Sequence, residues 1–152
     1  MPPLDSLIAL AGNWKGAYCL WELPSEPAKE SPSTASLVSL VGQKFVRIDY
    51  AWGYAGQPQE GSVLVGYEAK ENLATTVWID TWHMGDKFMI CQGKMDGDGS
   101  IVVRGSYSVD SGPDWGWRTV LETRGGSLHM VMYNVTPEGK EELAVEAEYT
   151  RA

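Results

Sequence analysis

Cysteine, histidine and positive charge are all scarce in this 152-residue sequence. Its two cysteines, Cys19 and Cys91, are too few for a disulfide framework, and no set of Cys, His and Asp residues has the spacing of a metal site. Twelve basic residues against twenty acidic ones give a formal net charge of −8, which argues against nucleic acid or anionic membranes as partners. We therefore expect a protein with reduced thiols in the cytoplasm.

Long apolar segments and the signature motifs of common enzymes are also missing. No apolar run approaches the roughly 18 residues of a membrane-spanning helix, and the segment Met1–Leu4 starts neither a basic region nor a long apolar one. The sequence contains no P-loop and no Gly-x-Ser-x-Gly elbow. Residues 96–99 resemble the start of a calcium loop, but Tyr107 stands where the bidentate Glu belongs, so we interpret them as a hairpin turn.

Short alternating segments separated by turn residues make up most of the chain. Apolar residues at helical spacing between residues 4 and 11 predict a short N-terminal helix, which Asp5 or Ser6 is able to cap. Beyond it, alternation and turn chemistry predict ten strands. The predicted strands cover residues 13–23, 34–41, 44–53, 61–69, 73–83, 87–94, 100–108, 116–123, 127–135 and 141–151.

Ten strands joined mostly by hairpins predict a single all-β domain over residues 1–152, an up-and-down antiparallel barrel with a short N-terminal helix. Closure into a barrel removes the exposed sheet edges that a meander would otherwise leave. Three prolines between residues 24 and 32 exclude the helix pair that covers some ten-stranded barrels. We expect an irregular flap over the barrel mouth at this place.

The two ends of the chain carry a pair of residues that support the barrel. Trp14 lies in the segment Gly12-Asn13-Trp14 of the first strand, and Arg151 closes the last strand. This pair resembles the lipocalin-like, or calycin, barrels, in which the Arg packs across the Trp and closes one end of a small-molecule cavity. If Trp14 points inward, strand alternation also places Tyr18 inside, and the same alternation places Tyr50 inside on the third strand.

Most of the chain resembles a bacterial family of small barrels similar to fatty-acid-binding proteins. That family is catalogued mainly as a domain of unknown function and is sometimes described as heme-binding-like, so the resemblance implies a fold and little chemistry. The stretches that carry the resemblance are residues 10–16, 78–83, 114–118 and 132–137.

A more distant resemblance is to the nitrobindins, barrels that bind heme and open with Gly-x-Trp-x-Gly. The chain keeps Gly12, Trp14 and Gly16, but Tyr18 is followed by Cys19 instead of proline, and the last strand has no His. The resemblance therefore raises heme as a possible cofactor, and these departures argue against it.

The segment from Trp78 to His83 is the densest polar and aromatic cluster of the sequence. Two exposed Trp side chains would be unfavourable, so alternation predicts that Trp78, Asp80 and Trp82 point inward and that His83 lies on the opposite face. A buried Asp80 needs a partner, and we expect Arg118 or Arg151. Such a pair is able to anchor a ligand carboxylate, to supply a general base, or to act as a structural ion pair only.

Three further candidates, Arg118, His83 and His129, each have more than one position or role open to them. Trp117 and Arg118 are adjacent, so a regular strand cannot point both inward; either Gly116 forms a bulge or Arg118 lies outside or at the rim. His83, beside a turn, is either a general base at the mouth, an axial heme ligand or an exposed side chain. His129 has the same options.

Seven Trp and seven Tyr against two Phe suggest a cavity wall that is apolar but also forms hydrogen bonds. The favoured hypothesis is a non-enzymatic barrel that binds a small, mostly apolar acid or aromatic molecule against Trp78, Trp82 and Trp117. The other candidate ligand contacts are Asp80, Arg118, Tyr18 and Tyr50. The alternatives are an enzyme in the same cavity, such as an isomerase, cyclase or decarboxylase, a heme protein, and a barrel with a filled core. Exposed Val77 and Ile79 also predict a homodimer.

Overall fold

The computed structural model describes residues 4–152, which form a closed antiparallel barrel of ten strands with one short helix near the N-terminus. This architecture confirms the predicted fold class. The elements are α1 (Asp5–Ile8), β1 (Gly12–Leu20), β2 (Lys29–Leu40), β3 (Phe45–Tyr54), β4 (Gln57–Glu68), β5 (Leu73–Asp80), β6 (Met89–Met95), β7 (Ile101–Tyr107), β8 (Trp115–Arg124), β9 (Ser127–Val135) and β10 (Glu141–Arg151).

Each strand pairs with its neighbours in the chain, and β1 pairs with β10 to close the barrel. Closure therefore leaves no unpaired edge strand in the part of the chain that the structure describes. The register of the closing pair sets Trp14 opposite Arg151 and Tyr18 opposite Ala147.

Side-chain alternation separates the inside of the barrel from the outside, as predicted. Trp14, Tyr18 and Leu20 are buried on β1, whereas Lys15 is exposed. On β3, Val46, Ile48, Tyr50 and Trp52 are buried in the same alternating way. The buried apolar side chains of all ten strands meet in one core inside the barrel.

Helix α1 covers one end of the barrel, beside the turns that follow the even-numbered strands. Leu7 is buried there, and the indole Nε1–H of Trp14 donates to the carbonyl of Leu10 at 2.7 Å. Neither expected cap is used, because Leu4 is the N-cap residue and no side chain caps the helix. Among residues 4–152, no helix is long and apolar enough to span a membrane.

The connections that follow the odd-numbered strands surround the opposite end, the barrel mouth. The β1–β2 connection is irregular, as predicted, but it is shorter than residues 24–32 because β2 already begins at Lys29. Pro32 lies within β2, opposite Ala17. The connection is held near the mouth because Glu22 accepts a hydrogen bond from Tyr54 at 2.7 Å.

Candidate functional site

A cleft of about 380 Å³ opens at the barrel mouth, between the β5–β6 connection and the ends of β7, β8 and β9. It contains three of the predicted ligand-binding residues, Trp78, Trp82 and Trp117, together with His83. The rest of its lining is Met84, Lys87, Met89, Tyr107, Ser108 and Asn134.

Asp80 lies beneath this cleft with a fully buried side chain. Its Oδ2 accepts a hydrogen bond from the Tyr50 hydroxyl at 2.6 Å. Its Oδ1 accepts from the backbone N–H groups of Trp82 at 2.9 Å and His83 at 2.8 Å, and His83 Nδ1 lies 3.0 Å from the same oxygen. The prediction of an Arg partner is therefore wrong, because backbone amides, a hydroxyl and an imidazole satisfy this carboxylate.

The hydrogen bonds of Asp80 decide its charge. Burial alone would raise the pKa of its carboxyl, but the hydrogen bonds from His83 and the Tyr50 hydroxyl, together with the positive charge that His83 carries when protonated, outweigh burial and hold the pKa below its ordinary value. Burial and the neighbouring carboxylate raise the pKa values of Tyr18 and Tyr50 far above the ordinary value of a phenol. Asp80 is therefore ionised at neutral pH beside two neutral tyrosines.

His83 points toward the barrel interior, not away from it as predicted. Strand β5 ends at Asp80, and the backbone N–H of Met84 donates to the Asp80 carbonyl at 2.9 Å. This turn breaks the two-residue alternation, so His83 returns to the side of Asp80 and its side chain is only 9% exposed. Its ring centroid lies 4.7 Å from that of Trp82, 5.3 Å from Trp78 and 5.7 Å from Trp117.

The contact with Asp80 sets the role of the other His83 nitrogen. An ionised carboxylate accepts hydrogen bonds, so Nδ1 carries the proton that it shares with Asp80 Oδ1. In the neutral ring, Nε2 is then an acceptor. Within residues 4–152, this buried Nε2 has no hydrogen-bond partner, and the same is true of the indole Nε1–H of Trp117.

Tyr18 and Tyr50, predicted to contact the ligand, lie deeper in the barrel and do not line the cleft. The ring of Tyr18 stacks on Trp52 with centroids 4.2 Å apart, and lies 5.9 Å from the ring of Tyr50. The Tyr50 hydroxyl also accepts a hydrogen bond from Trp78 Nε1 at 2.9 Å. These aromatic side chains fill the barrel interior below the cleft and hold Asp80 in place.

Arg118 lies on the outer face of the barrel and does not line the cleft. Its guanidinium pairs with Glu141 and stacks 4.4 Å from the ring centroid of Tyr133. The register runs without interruption along β8, so the bulge considered at Gly116 is absent between residues 115 and 124. Trp117 takes the inward position, and the adjacent Arg118 therefore points outward.

Arg151 stacks on Trp14, with its guanidinium carbon 4.4 Å from the ring centroid. The side chain is exposed and lies across the end of the barrel, where it also donates to the carbonyls of Ala11 at 2.7 Å and Ala9 at 3.0 Å. It therefore joins β10 to β1 and to the end of the N-terminal helix. This end lies opposite the cleft, so the pair has no contact with the candidate site.

The other side chains with possible chemistry lie elsewhere. His129 occupies an outward position on β9 but is buried, and its Nε2 lies 3.6 Å from Glu148. Both cysteines are free. No cluster of His, Cys, Asp and Glu within residues 4–152 has the geometry of a metal site. A larger depression of about 830 Å³ lies on the outer face of β1–β5, and its outward side chains include Lys15, Thr34 and Ser62.

The sequence from residue 3 to residue 151 matches the family model described as a protein of unknown function, DUF1579. The chain belongs to the DUF1579 family. Among solved structures, this DUF1579 protein is similar to Rv2717c from M. tuberculosis, with 15% sequence identity and a TM-score of 0.69 over all of this chain and 98% of that one. A likeness at this identity shows the fold alone. No curated protein matches the sequence.

Heme, which the more distant resemblance to nitrobindins raises, does not fit the cleft of this DUF1579 chain. His83 has the one imidazole nitrogen in the cleft, and an axial ligand needs an open plane in front of it as wide as a porphyrin. The rings of Trp78, Trp82 and Trp117 crowd this imidazole from several sides. Strand β10 contains no His that would replace it.

Several cleft residues of the DUF1579 chain were not among the predicted site residues. Lys87 and Met84 belong to the β5–β6 connection, whose turn after Asp80 the strand pattern does not reveal. Tyr107 and Asn134 meet across strand ends, where the Tyr107 hydroxyl donates to Asn134 Oδ1 at 2.5 Å. The inward parity of Tyr107 on β7 and of Asn134 on β9 was a signal available in the sequence.

Proposed function

We propose that the cleft at the barrel mouth binds a small, largely apolar acid with an aromatic or hydrophobic body. The observation that carries this proposal is the combination, in one cleft, of three Trp side chains with a buried imidazole nitrogen that has no hydrogen-bond partner among residues 4–152. Trp78 and Trp117 stack with ring centroids 5.1 Å apart, and Trp82 packs edge-on against His83. Large aromatic side chains with a few placed polar groups are typical of small-molecule sites.

Lys87 supports an acidic ligand. This residue belongs to the cleft lining and lies on the exposed β5–β6 connection. The protein as a whole carries a net charge of −8, so a single cation at this cleft gives a carboxylate a local partner that most of the surface lacks. In this arrangement the apolar body lies against the Trp rings, the carboxylate lies at Lys87, and the His83 side chain lies at the depth of the cleft.

We also propose that the barrel is of the lipocalin-like type. The stacked pair of Trp14 and Arg151 and the ten-stranded meander support a lipocalin-like barrel similar to fatty-acid-binding proteins. In this chain aromatic side chains fill the barrel interior, and the cleft lies at the barrel mouth. The proposed ligand is therefore smaller than one that would occupy a hollow barrel. A cytoplasmic location remains a prediction from the reduced thiols.

Titration with 3-phenylpropanoate, monitored by Trp emission, tests the proposed function. Binding near the cleft Trp residues should change the emission saturably, with a midpoint in the micromolar range, equivalent to about −8 kcal/mol. Replacement of Lys87 by Met should weaken binding of the acid about tenfold and leave binding of 3-phenylpropanamide unchanged.

Lys94→Met is the matched control, because Lys94 is an exposed lysine that hydrogen-bonds to the Glu71 carbonyl near the opposite end of the barrel. It should bind the acid as the unmodified protein does. The proposal is wrong if a panel of aromatic and fatty acids produces no saturable change. A Soret band that appears on addition of heme, and that His83→Gln removes, would favour the heme alternative instead.

We also propose that the chain forms a homodimer through the outer face of β4, β5 and β6. Leu64, Val77 and Ile90 lie side by side across these strands, with Ile79 and Phe88 next to them. Ile90 is 55% exposed and Phe88 is 62% exposed. Acidic side chains project from β8 and β10 elsewhere on the barrel, so pairing through the apolar face keeps the negative charges of two copies apart.

A further inference from the structure

We propose that the cleft is also catalytic, and that His83 Nε2 removes a proton from a carbon next to the carbonyl group of a bound apolar acid. This inference rests on the proposed binding of such acids at the same cleft. The reaction class is the interconversion of keto and enol forms of one molecule. The substrate class is a 2-oxo acid with an aromatic or apolar side chain.

The Asp80–His83 pair has the geometry of an oriented general base. Asp80 is held by Tyr50 and by two backbone N–H groups, so its Oδ1 has a defined position 3.0 Å from His83 Nδ1. That contact fixes the ring orientation, places the proton on Nδ1 and stabilises the imidazolium that forms when Nε2 accepts a second proton. Three Trp rings confine the imidazole and close its Nε2 to solvent, so a substrate reaches this nitrogen when a ring of the wall moves aside.

Hydrogen-bond donors for the developing oxyanion lie in the same cleft. The indole Nε1–H of Trp117 is buried without a partner in the described chain, and its ring centroid lies 5.7 Å from that of His83. Asn134 accepts the Tyr107 hydroxyl through Oδ1, and its amide nitrogen takes no part in that bond. A buried donor aimed at developing charge is worth more than one in water, because no water must be reoriented.

A purely structural role for His83 explains only part of this arrangement. The backbone N–H and Nδ1 of His83 are sufficient to hold the β5–β6 turn against Asp80. Buried polar atoms are paired in the great majority of cases, so each unpaired one calls for an explanation. Among residues 4–152, the Tyr18 hydroxyl and Trp52 Nε1 are also without a partner, in the aromatic interior below the cleft. Within residues 4–152, the unpaired acceptor on His83 and the unpaired donor on Trp117 both belong to residues of one cleft, and a substrate with an acidic C–H and a carbonyl oxygen would pair both.

The proposed step needs no cofactor or second reactant. The C–H bond next to the carbonyl breaks, its proton forms a bond with His83 Nε2, and the electron pair moves to the carbonyl oxygen as the C=C bond forms. The imidazolium then returns the proton to that oxygen, which gives the enol. If the imidazolium first exchanges its proton with solvent and then donates a proton to the carbon, the ketone is restored with one solvent hydrogen.

Exchange of phenylpyruvate protons in D2O tests the proposal directly. Proton NMR follows loss of the benzylic C–H signal, with buffer alone as the reference, and Trp emission follows binding in the same samples. We expect the protein to accelerate exchange and 3-phenylpropanoate, which lacks the ketone, to inhibit it competitively. His83→Gln should slow the exchange by about 100-fold or more, the range for loss of a general base.

His129→Gln is the matched control, because His129 is the second of two histidines in the chain and lies on the outer face. It should exchange phenylpyruvate at the unmodified rate. Saturable binding without exchange above the buffer rate overturns catalysis and leaves the binding proposal in place. Absence of any emission change overturns both. If His83→Gln does not fold, failure of 3-phenylpropanoate to inhibit exchange by the unmodified protein is sufficient to overturn the assignment to this cleft.

Discussion

Replacement of Arg151 by Ala should destabilise the barrel by about 2–3 kcal/mol. The guanidinium lies 4.4 Å from the Trp14 ring centroid and is exposed, a contact worth about 0.5–1 kcal/mol. Its two hydrogen bonds, to the carbonyls of Ala11 and Ala9 at 2.7 and 3.0 Å, together contribute about 1.5 kcal/mol at an exposed position. The aliphatic stem of Arg151 covers the buried Trp14 and adds about 0.5 kcal/mol.

Urea unfolding monitored by circular dichroism measures this loss. With a denaturant slope of about 2 kcal/mol per M, the midpoint should fall by roughly 1 M. Arg151→Lys should give an intermediate value, because an ammonium keeps the charge but lacks the planar fork that reaches two carbonyls. The control is Arg124→Ala, since Arg124 forms an exposed pair with Glu122, and exposed pairs contribute about 0–1 kcal/mol.

Equal midpoints for Arg151→Ala and Arg124→Ala would refute the idea that Arg151 closes the barrel. That result would mean that the pairing of β1 with β10 and the burial of Trp14 are sufficient to hold this end. An Arg151→Lys variant as unstable as Arg151→Ala would assign the effect to the two hydrogen bonds, because lysine retains the charge over the ring.

Three further predictions concern the interior and the outer face. Because the folded pKa of Asp80 lies below its ordinary value of 3.8, its ionised form stabilises the fold above that pH, and this stabilisation is lost as the pH falls through the folded pKa. Asp80→Asn should therefore cost about 2 kcal/mol at pH 7, and urea midpoints of variant and parent should converge under acid conditions; a constant gap would contradict this. Gly61→Ala should lower the free energy of unfolding by about 1–3 kcal/mol, because its Cβ would lie 2.2 Å from the Tyr50 hydroxyl. The control is Gly53→Ala, whose Cβ would lie 3.8 Å from the nearest atom, and its urea midpoint should be near that of the parent. Ile90→Glu should convert the proposed dimer to monomer in sedimentation, and a parent protein that sediments as a monomer at high concentration would remove that proposal.

Local sequence patterns were sufficient for the fold. Turn residues and two-residue alternation predict strands without knowledge of their partners, because both depend on near neighbours in the chain. All ten predicted strands overlap the observed ones, and the inward parity of Tyr18 and Tyr50 is correct. The resemblance added the pairing of Trp14 with Arg151, which lie 137 residues apart and which alternation alone does not connect.

The candidate site was predicted only in part. Trp78, Trp82 and Trp117 meet as expected, because Trp78 and Trp117 occupy inward strand positions. The partners of Asp80 could not be read from the pattern, since alternation assumes a straight strand to residue 83 and the chain turns at Asp80 instead. The opposite charges of Arg118 and Asp80 predicted a pair. The pairing of β8 with β9 runs without a register shift, however, so Trp117 points inward and Arg118 points outward.

The sequence by itself therefore determined the barrel, its closing pair and the side of each strand that faces the core, since these follow from chain-local alternation and one long-range resemblance. Only the tertiary structure decided what surrounds Asp80 and His83. A single backbone hydrogen bond, from Met84 to the Asp80 carbonyl, redirects the chain and gives the carboxylate an imidazole in place of a guanidinium. Such turns at strand ends depend on how neighbouring strands leave room for them, and that information is absent from the local pattern.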